Sequence, residues 1–185
     1  MQFAFHIDQT RCSGCYACVV ACKDWHDVPA GPASWMRVKT LELGKYPRPF
    51  VVHLPSPCYH CAEPACIKAC PANAISKRQQ DGIVVVDREA CLGGDICRLC
   101  LEACPYDAPQ FGAEQGARMQ KCDLCVEKWA QGEKPICVAG CPTRALDAGP
   151  INEMETRYGD SKEAVGFTYD RKLRPSVIFK PKIQV

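Results

Sequence analysis

Residues 12–22 read CSGCYACVVAC, which sets Cys12, Cys15, Cys18 and Cys22 at the spacing C-x2-C-x2-C-x3-C. The same cadence returns three more times, each time with one interval stretched. Cys58, Cys61, Cys66 and Cys70 follow C-x2-C-x4-C-x3-C, with Pro71 next. Cys91, Cys97, Cys100 and Cys104 follow C-x5-C-x2-C-x3-C, and Pro105 closes them. Cys122, Cys125, Cys137 and Cys141 carry a long interval after Cys125 and end at Pro142. These groups use all 16 cysteines of the 185-residue chain. A cysteine share of this size marks a protein stapled by disulfides or by metals.

Three chemistries compete for such a pattern. A disulfide framework joins Cα atoms about 4.4–6.8 Å apart in small domains of oxidising compartments. Repeated C-x2-C steps in a chain this long fit it poorly. Zinc pairs two C-x2-C knuckles across a spacer and has no use for a third cysteine three residues further on. The run C-x2-C-x2-C-x3-C-P is instead the bacterial ferredoxin pattern. Its first three thiolates hold one cubane, and the fourth turns away to the other cluster of the pair. Proline after the fourth cysteine stops the local helix, because it has no N–H to continue the ladder.

Exchange of the fourth cysteine makes the groups legible only in pairs. The second and third groups lie close together, leaving the first and fourth to pair across them. The exchange rule then predicts four [4Fe–4S] clusters. Cluster 1 takes Cys12, Cys15, Cys18 and Cys141, and cluster 2 takes Cys22, Cys122, Cys125 and Cys137. Cluster 3 takes Cys58, Cys61, Cys66 and Cys104, and cluster 4 takes Cys70, Cys91, Cys97 and Cys100. The expected fold is α+β, with two bacterial-ferredoxin-like two-cluster modules, one inserted into the other, and few long helices. Residues 1–56 plus 117–150 form the first module, 57–116 the inserted one and 151–185 a C-terminal extension. Clusters then replace much of the apolar core that a small domain cannot supply.

The segments between the groups are short. Phe3–Ile7, Met36–Leu43, Phe50–Leu54 and Ile83–Asp87 read as strands from their β-branched and alternating residues. Ala74–Ser76 and Ile83–Val86 read as a hairpin turned at Asp81-Gly82. Val19–Lys23 and Ile67–Cys70 look like single helical turns after their loops, and Asn152–Tyr158 is a candidate helix. Pro47 and Pro49 punctuate the connection into the inserted module. A net charge of +2 offers no concentrated basic surface for nucleic acid. No apolar run nears the ~18 residues that span a bilayer. Met1–Asp8 has neither a basic leader nor a continuous apolar stretch, so no signal peptide is expected.

The residues also carry a family resemblance. CYHCAEPAC (58–66), DGIVVVD (81–87), ACPYDAPQ (103–110), KCDLC (121–125) and KPICVAGCPTRAL (134–146) are its body. With DQTRCSGC (8–15), ACKDW (21–25) and RPSVIFKP (174–181), they resemble the four-cluster iron–sulfur subunit of dimethyl-sulfoxide-reductase-type molybdoenzymes. The resemblance implies a non-catalytic electron conduit. Such a subunit passes single electrons between a large catalytic subunit, holding a molybdenum or tungsten pterin, and a membrane-anchored quinone-reactive subunit or another acceptor. It implies assembly in the cytoplasm and a peripheral place at the membrane, on a side the sequence does not give. It also implies that cluster 1 lies beside the catalytic subunit and cluster 4 beside the acceptor. In the family the third group is normally C-x2-C-x2-C-x3-C. Here Cys91-to-Cys97 is three residues longer, and without ligation by Cys91 cluster 4 would be [3Fe–4S]. Gly93-Gly94 offers a backbone able to loop out and return.

Two rivals stand beside this reading: a free-standing polyferredoxin and a zinc-binding interaction module. His6, His26, His53 and His60 are expected to pack or face solvent, since sixteen thiolates already close four sites. His60, between Cys58 and Cys61, is the one placed to tune its own cluster. Trp25, Trp35 and Trp129 read as fillers, and Lys23 and Lys121 as counter-charges to thiolates or as exposed solubilising groups. Residues 171–185 carry Arg171, Lys172, Arg174, Lys180 and Lys182 with no acid, either a solvated tail or a docking segment.

Overall fold

Every residue from Phe3 to Asp8 is buried, so this strand is covered on both faces and belongs at the centre of a sheet. The computed structural model describes residues 1–183. Its elements are β1 (Phe3–Asp8), α1 (Ala17–Trp25), β2 (Arg37–Lys45), β3 (Arg48–Ser56), α2 (Ala65–Lys68), β4 (Ile75–Lys77) and β5 (Val84–Val86). After them come α3 (Leu99–Glu102), α4 (Val126–Ala130), α5 (Ile136–Ala139), β6 (Leu146–Pro150), α6 (Ile151–Tyr158) and β7 (Val177–Lys180). The fold is a small mix of strands and short helices.

β1 is flanked by β6 on one side and β7 on the other. β6 runs antiparallel, pairing Phe3 with Pro150 and Ile7 with Leu146. β7 runs parallel, pairing Phe5 with Val177 and Asp8 with Lys180. Strands from the two ends of the chain thus share one sheet. Neither β6 nor β7 is among the strands expected from sequence. LDAGP holds three turn-forming residues and is a strand only because β1 offers it a partner, a tertiary effect on weak local propensity. The stretch 151–185 contributes α6 and β7, and its residues 184 and 185 lie outside the described residues.

The other strands fall close to expectation. β2 and β3 form a nine-residue hairpin, with Phe50, Val52 and Leu54 buried and Val51 exposed between them. Pro47 lies at its tip and Pro49 inside β3, opposite Gly44. Here the structure differs from the reading of both prolines as linker punctuation. A two-stranded ribbon has free edges, where proline's missing donor leaves no ladder bond unmade. The β4–β5 hairpin turns as predicted, with Gly82 at φ 70 and the Asp81 carboxylate accepting the Ile83 N–H at 3.0 Å.

Helix length follows the prolines. α2, α3 and α5 are single turns, each ending just before a Cys-Pro step. No proline follows Cys22, and α1 runs on to Trp25. The main core gathers Phe5, Ile7, Met36, Leu54, Ile83, Leu124 and Phe179 together with Cys18, Cys22, Cys58, Cys122 and Cys137. A smaller one joins Ile75, Val84, Phe111 and Met119 to Cys100. Cysteines are part of both cores, so what the thiols hold is also what the fold packs around.

Candidate metal centres

All sixteen thiols are free, with no disulfide among the described residues. Cys12, Cys15, Cys18 and Cys141 line one hollow, walled by Val38, Pro55 and Leu146. Cys70, Cys91, Cys97 and Cys100 line another, walled by Ile75, Val86, Phe111 and Met119. In each, one cysteine comes from a different group than the other three. The remaining eight thiols lie close enough to act on one another by charge, within the expected sets and between neighbouring ones. Cys122 feels Cys22, Cys58 and Cys137, and Cys137 feels Cys125, Cys22 and Cys18. Cys61 feels Cys58, Cys104 and Cys66.

A thiolate without a cation is costly in such places. Burial, helped by Cys12, Cys141 and Cys15, pushes the Cys18 thiol up to about 12. Burial also pushes Cys22 and Cys66 up to about 12, and Cys122 and Cys137 well above the ordinary value. Desolvation disfavours the charged form. Four-thiolate nests of this kind suit a metal centre that supplies positive charge. Polar donors already aim at the sulfurs. The N–H groups of Met119, Leu124 and Ala145 reach Cys91, Cys122 and Cys141 at 3.4, 3.4 and 3.3 Å. Burial raises Cys141 as well, but the Thr143 hydroxyl and neighbouring backbone N–H groups outweigh it and hold this thiol below its usual range. Iron–sulfur chemistry with all-cysteine ligation fits the donor set.

In the first and third cysteine loops a glycine combines a left-handed φ with a close approach. Gly14, in the first loop, has φ +67, and a Cβ there would come within 2.5 Å of the His53 ring. Gly93, at φ +86, would place a Cβ 3.0 Å from the Gly116 carbonyl. The lengthened third loop bulges outward at this point, leaving Ile96 exposed, and is tied back through Gly94 N–H to the Ala117 carbonyl at 2.7 Å. Arg118 caps the Glu89 carbonyl at 2.9 Å and also binds the Cys91 carbonyl. The extra residues are spent outside, and Cys91 returns to the hollow it shares with Cys70, Cys97 and Cys100.

His26, His60 and Lys121 depart from expectation, whereas His6 and His53 pack as expected. His26 Nε2 lies 3.3 Å from Cys125 Sγ and 3.7 Å from the Asp123 carboxylate. His60 reaches not its own group but Cys122, at 3.8 Å. His53 packs on Gly14 and sits 3.0 Å from the Thr40 hydroxyl, and His6 stacks on Tyr158 at 3.7 Å. Lys121 is buried, donating to the carbonyls of Val84 and of Cys122, at 2.9 Å for the latter. Lys23 donates to the Pro29 carbonyl at 3.2 Å. Trp129 and Trp35 are held by their indole N–H groups, on the Leu124 carbonyl and the Gln120 side chain, whereas Trp25 is 43% exposed. The contacts of His26 and His60 span 99 and 62 residues, beyond any local sequence signal. Only the charge of Lys121, next to Cys122, could have flagged the junction.

Comparison with known proteins places this geometry. Residues 49–151 match the family model described as a 4Fe-4S dicluster domain. The chain is 41% identical over 188 residues to the B component of the anaerobic dimethyl sulfoxide reductase of Escherichia coli (strain K12), covering 97% of this chain and 89% of that relative. It is 37% identical to the B component of the sulfite dehydrogenase of Allochromatium vinosum, over 84% of this chain and 71% of the relative. It is 34% identical to the formate dehydrogenase-O iron-sulfur subunit of E. coli over 81% of this chain and 54% of the relative.

Proposed function

The chain belongs to the family of iron–sulfur electron-transfer subunits of dimethyl-sulfoxide-reductase-type oxidoreductases, and from that premise we propose that it is a four-cluster wire. Its electrons run between a catalytic subunit holding a molybdenum or tungsten pterin and a membrane-anchored quinone-reactive subunit or another acceptor. The relatives named above carry the names of different substrates, so the substrate belongs to the partner. Among the described residues no helix is long and apolar enough to cross a membrane. On this reading, membrane contact falls to another subunit.

The observation that carries the reading is the crossing of cysteines between groups. Cys141 lines one hollow with Cys12, Cys15 and Cys18, Cys70 lines another with Cys91, Cys97 and Cys100, and Cys104 lies near enough to act on Cys61 and Cys66. This pattern supports the four ligand sets of the exchange rule, and with them a module of residues 57–116 set within one of 1–56 plus 117–150. It supports [4Fe–4S] over [3Fe–4S] at the set containing Cys91. Exposure supports an end and an interior position along the wire. Cys15 is exposed at one end set, whereas Cys22, Cys122, Cys125 and Cys137 are all buried.

Bound clusters supply one-electron exchange without making or breaking substrate bonds. The chain's residues do the rest. Thiolates fix positions, N–H groups stabilise negative charge on sulfur, and walls such as Phe111 and Met119 exclude water. Anaerobically purified protein is expected to be brown, with about sixteen irons for sixteen thiolates. It should turn over no substrate alone and should co-purify with a pterin-bearing subunit. Half that iron with zinc in its place, or turnover by the isolated chain, would refute the proposal.

A further inference from the structure

His60 belongs in sequence to the second cysteine group, yet its ring is turned out of that loop. Its φ is 43, a left-handed value that histidine adopts more readily than most residues. The residue is 1% exposed and pinned by residues from both ends of the chain. Gln2 Nε2 and Ser176 Oγ donate to its carbonyl at 2.9 and 3.0 Å. Nδ1 accepts the Val84 N–H at 3.0 Å, so that nitrogen carries no proton. A neutral imidazole with a bare Nδ1 holds its one proton on Nε2. That N–H is the group 3.8 Å from Cys122 Sγ, and it donates to the sulfur.

The ring therefore hangs from the loop of Cys58 and Cys61 and ends on a thiolate of the fourth group. We propose that His60 is a positioning residue joining the two middle centres. Its Nε2–H raises the potential of the centre held through Cys122, and its own bonds shorten the route from the centre held through Cys58 and Cys61. This rests on the cluster reading above. When one electron arrives, negative charge grows on the Cys122 sulfur, and a fixed donor favours that state. The neighbouring centre loses the same electron, the proton stays on Nε2, and no bond forms or breaks. Lys121 adds a cation to the junction but is bound to backbone carbonyls, so it does not replace the ring's hydrogen bond.

The test is a redox titration of the full chain followed by electron paramagnetic resonance, with Cys122→Ser identifying the centre concerned. His60→Asn keeps an acceptor for Val84 and tolerates the left-handed backbone, but is too short to reach Cys122. His60→Gln carries an amide N–H to about the position of Nε2. The Asn variant should weaken reduction of that one centre about tenfold, about 59 mV for one electron, while Gln stays near wild type. Unchanged midpoints in the Asn variant, or an equal shift in both variants, would overturn the inference. Should His60→Asn lose iron, a histidine-labelled His26→Phe protein decides the matter. Spin-echo modulation from a ring nitrogen at the reduced centre supports the bond, and its absence refutes it. A wild type without four iron–sulfur signals would instead sink the cluster reading itself.

Discussion

His6 shows what burial does to a single titratable group. It stacks on Tyr158, its Nε2 is buried with no hydrogen-bond partner among the described residues, and burial lowers its pKa against the opposing pull of Asp8 and Asp147; Lys180 lowers it further. The unfolded chain binds a proton at this position as pH falls through about 6.5, whereas the folded chain does so only lower. The unfolded state holds more protons in that window, so stability is full above it and falls as pH drops through it. His6→Phe keeps a ring against Tyr158 and removes the proton site. Urea resistance of the anaerobic protein, followed by its visible absorption, should fall less steeply for the variant between pH 7 and 5.5. Parallel curves for variant and wild type would refute this account.

Elements, unlike residues, were mostly legible where the cysteines dictate them. The helical turns at Val19–Lys23 and Ile67–Cys70, the Asp81-Gly82 hairpin and the helix at Asn152–Tyr158 lie where expected, although α1 runs to nine residues and not to a single turn. β6 was not legible, because strand pairing is decided by a partner more than a hundred residues away. Separations of 99 and 62 residues likewise hid the contacts of His26 and His60, while the mixed grouping of cysteines in the two hollows was expected from the spacing. At this scale the decisive variant is Cys70→Ala. Cys70 closes the turn after α2 but lines the hollow of Cys91, Cys97 and Cys100. Under the proposed ligand sets, the variant should change the resonance signal of the third group's centre and spare that of Cys58, Cys61 and Cys66. The reverse pattern would mean that each group closes its own cluster.

At the scale of the whole molecule, β1 is the piece on which everything else is hung. It begins at Phe3, yet one neighbour, β6, begins at Leu146 and the other, β7, at Val177. Its apolar faces have no complete sheet to join until synthesis has passed Val177. All sixteen cysteines are therefore translated before the strand that completes this sheet. On this ordering β7 is expected to act as a latch, added after every cluster loop has been made. Chains arrested on the ribosome with residues up to about 170 outside the tunnel should be cleaved throughout by dilute protease. The released protein, with β7 in place, should resist at β1. Equal resistance in the arrested chain would show that the N-terminal half closes without its latch.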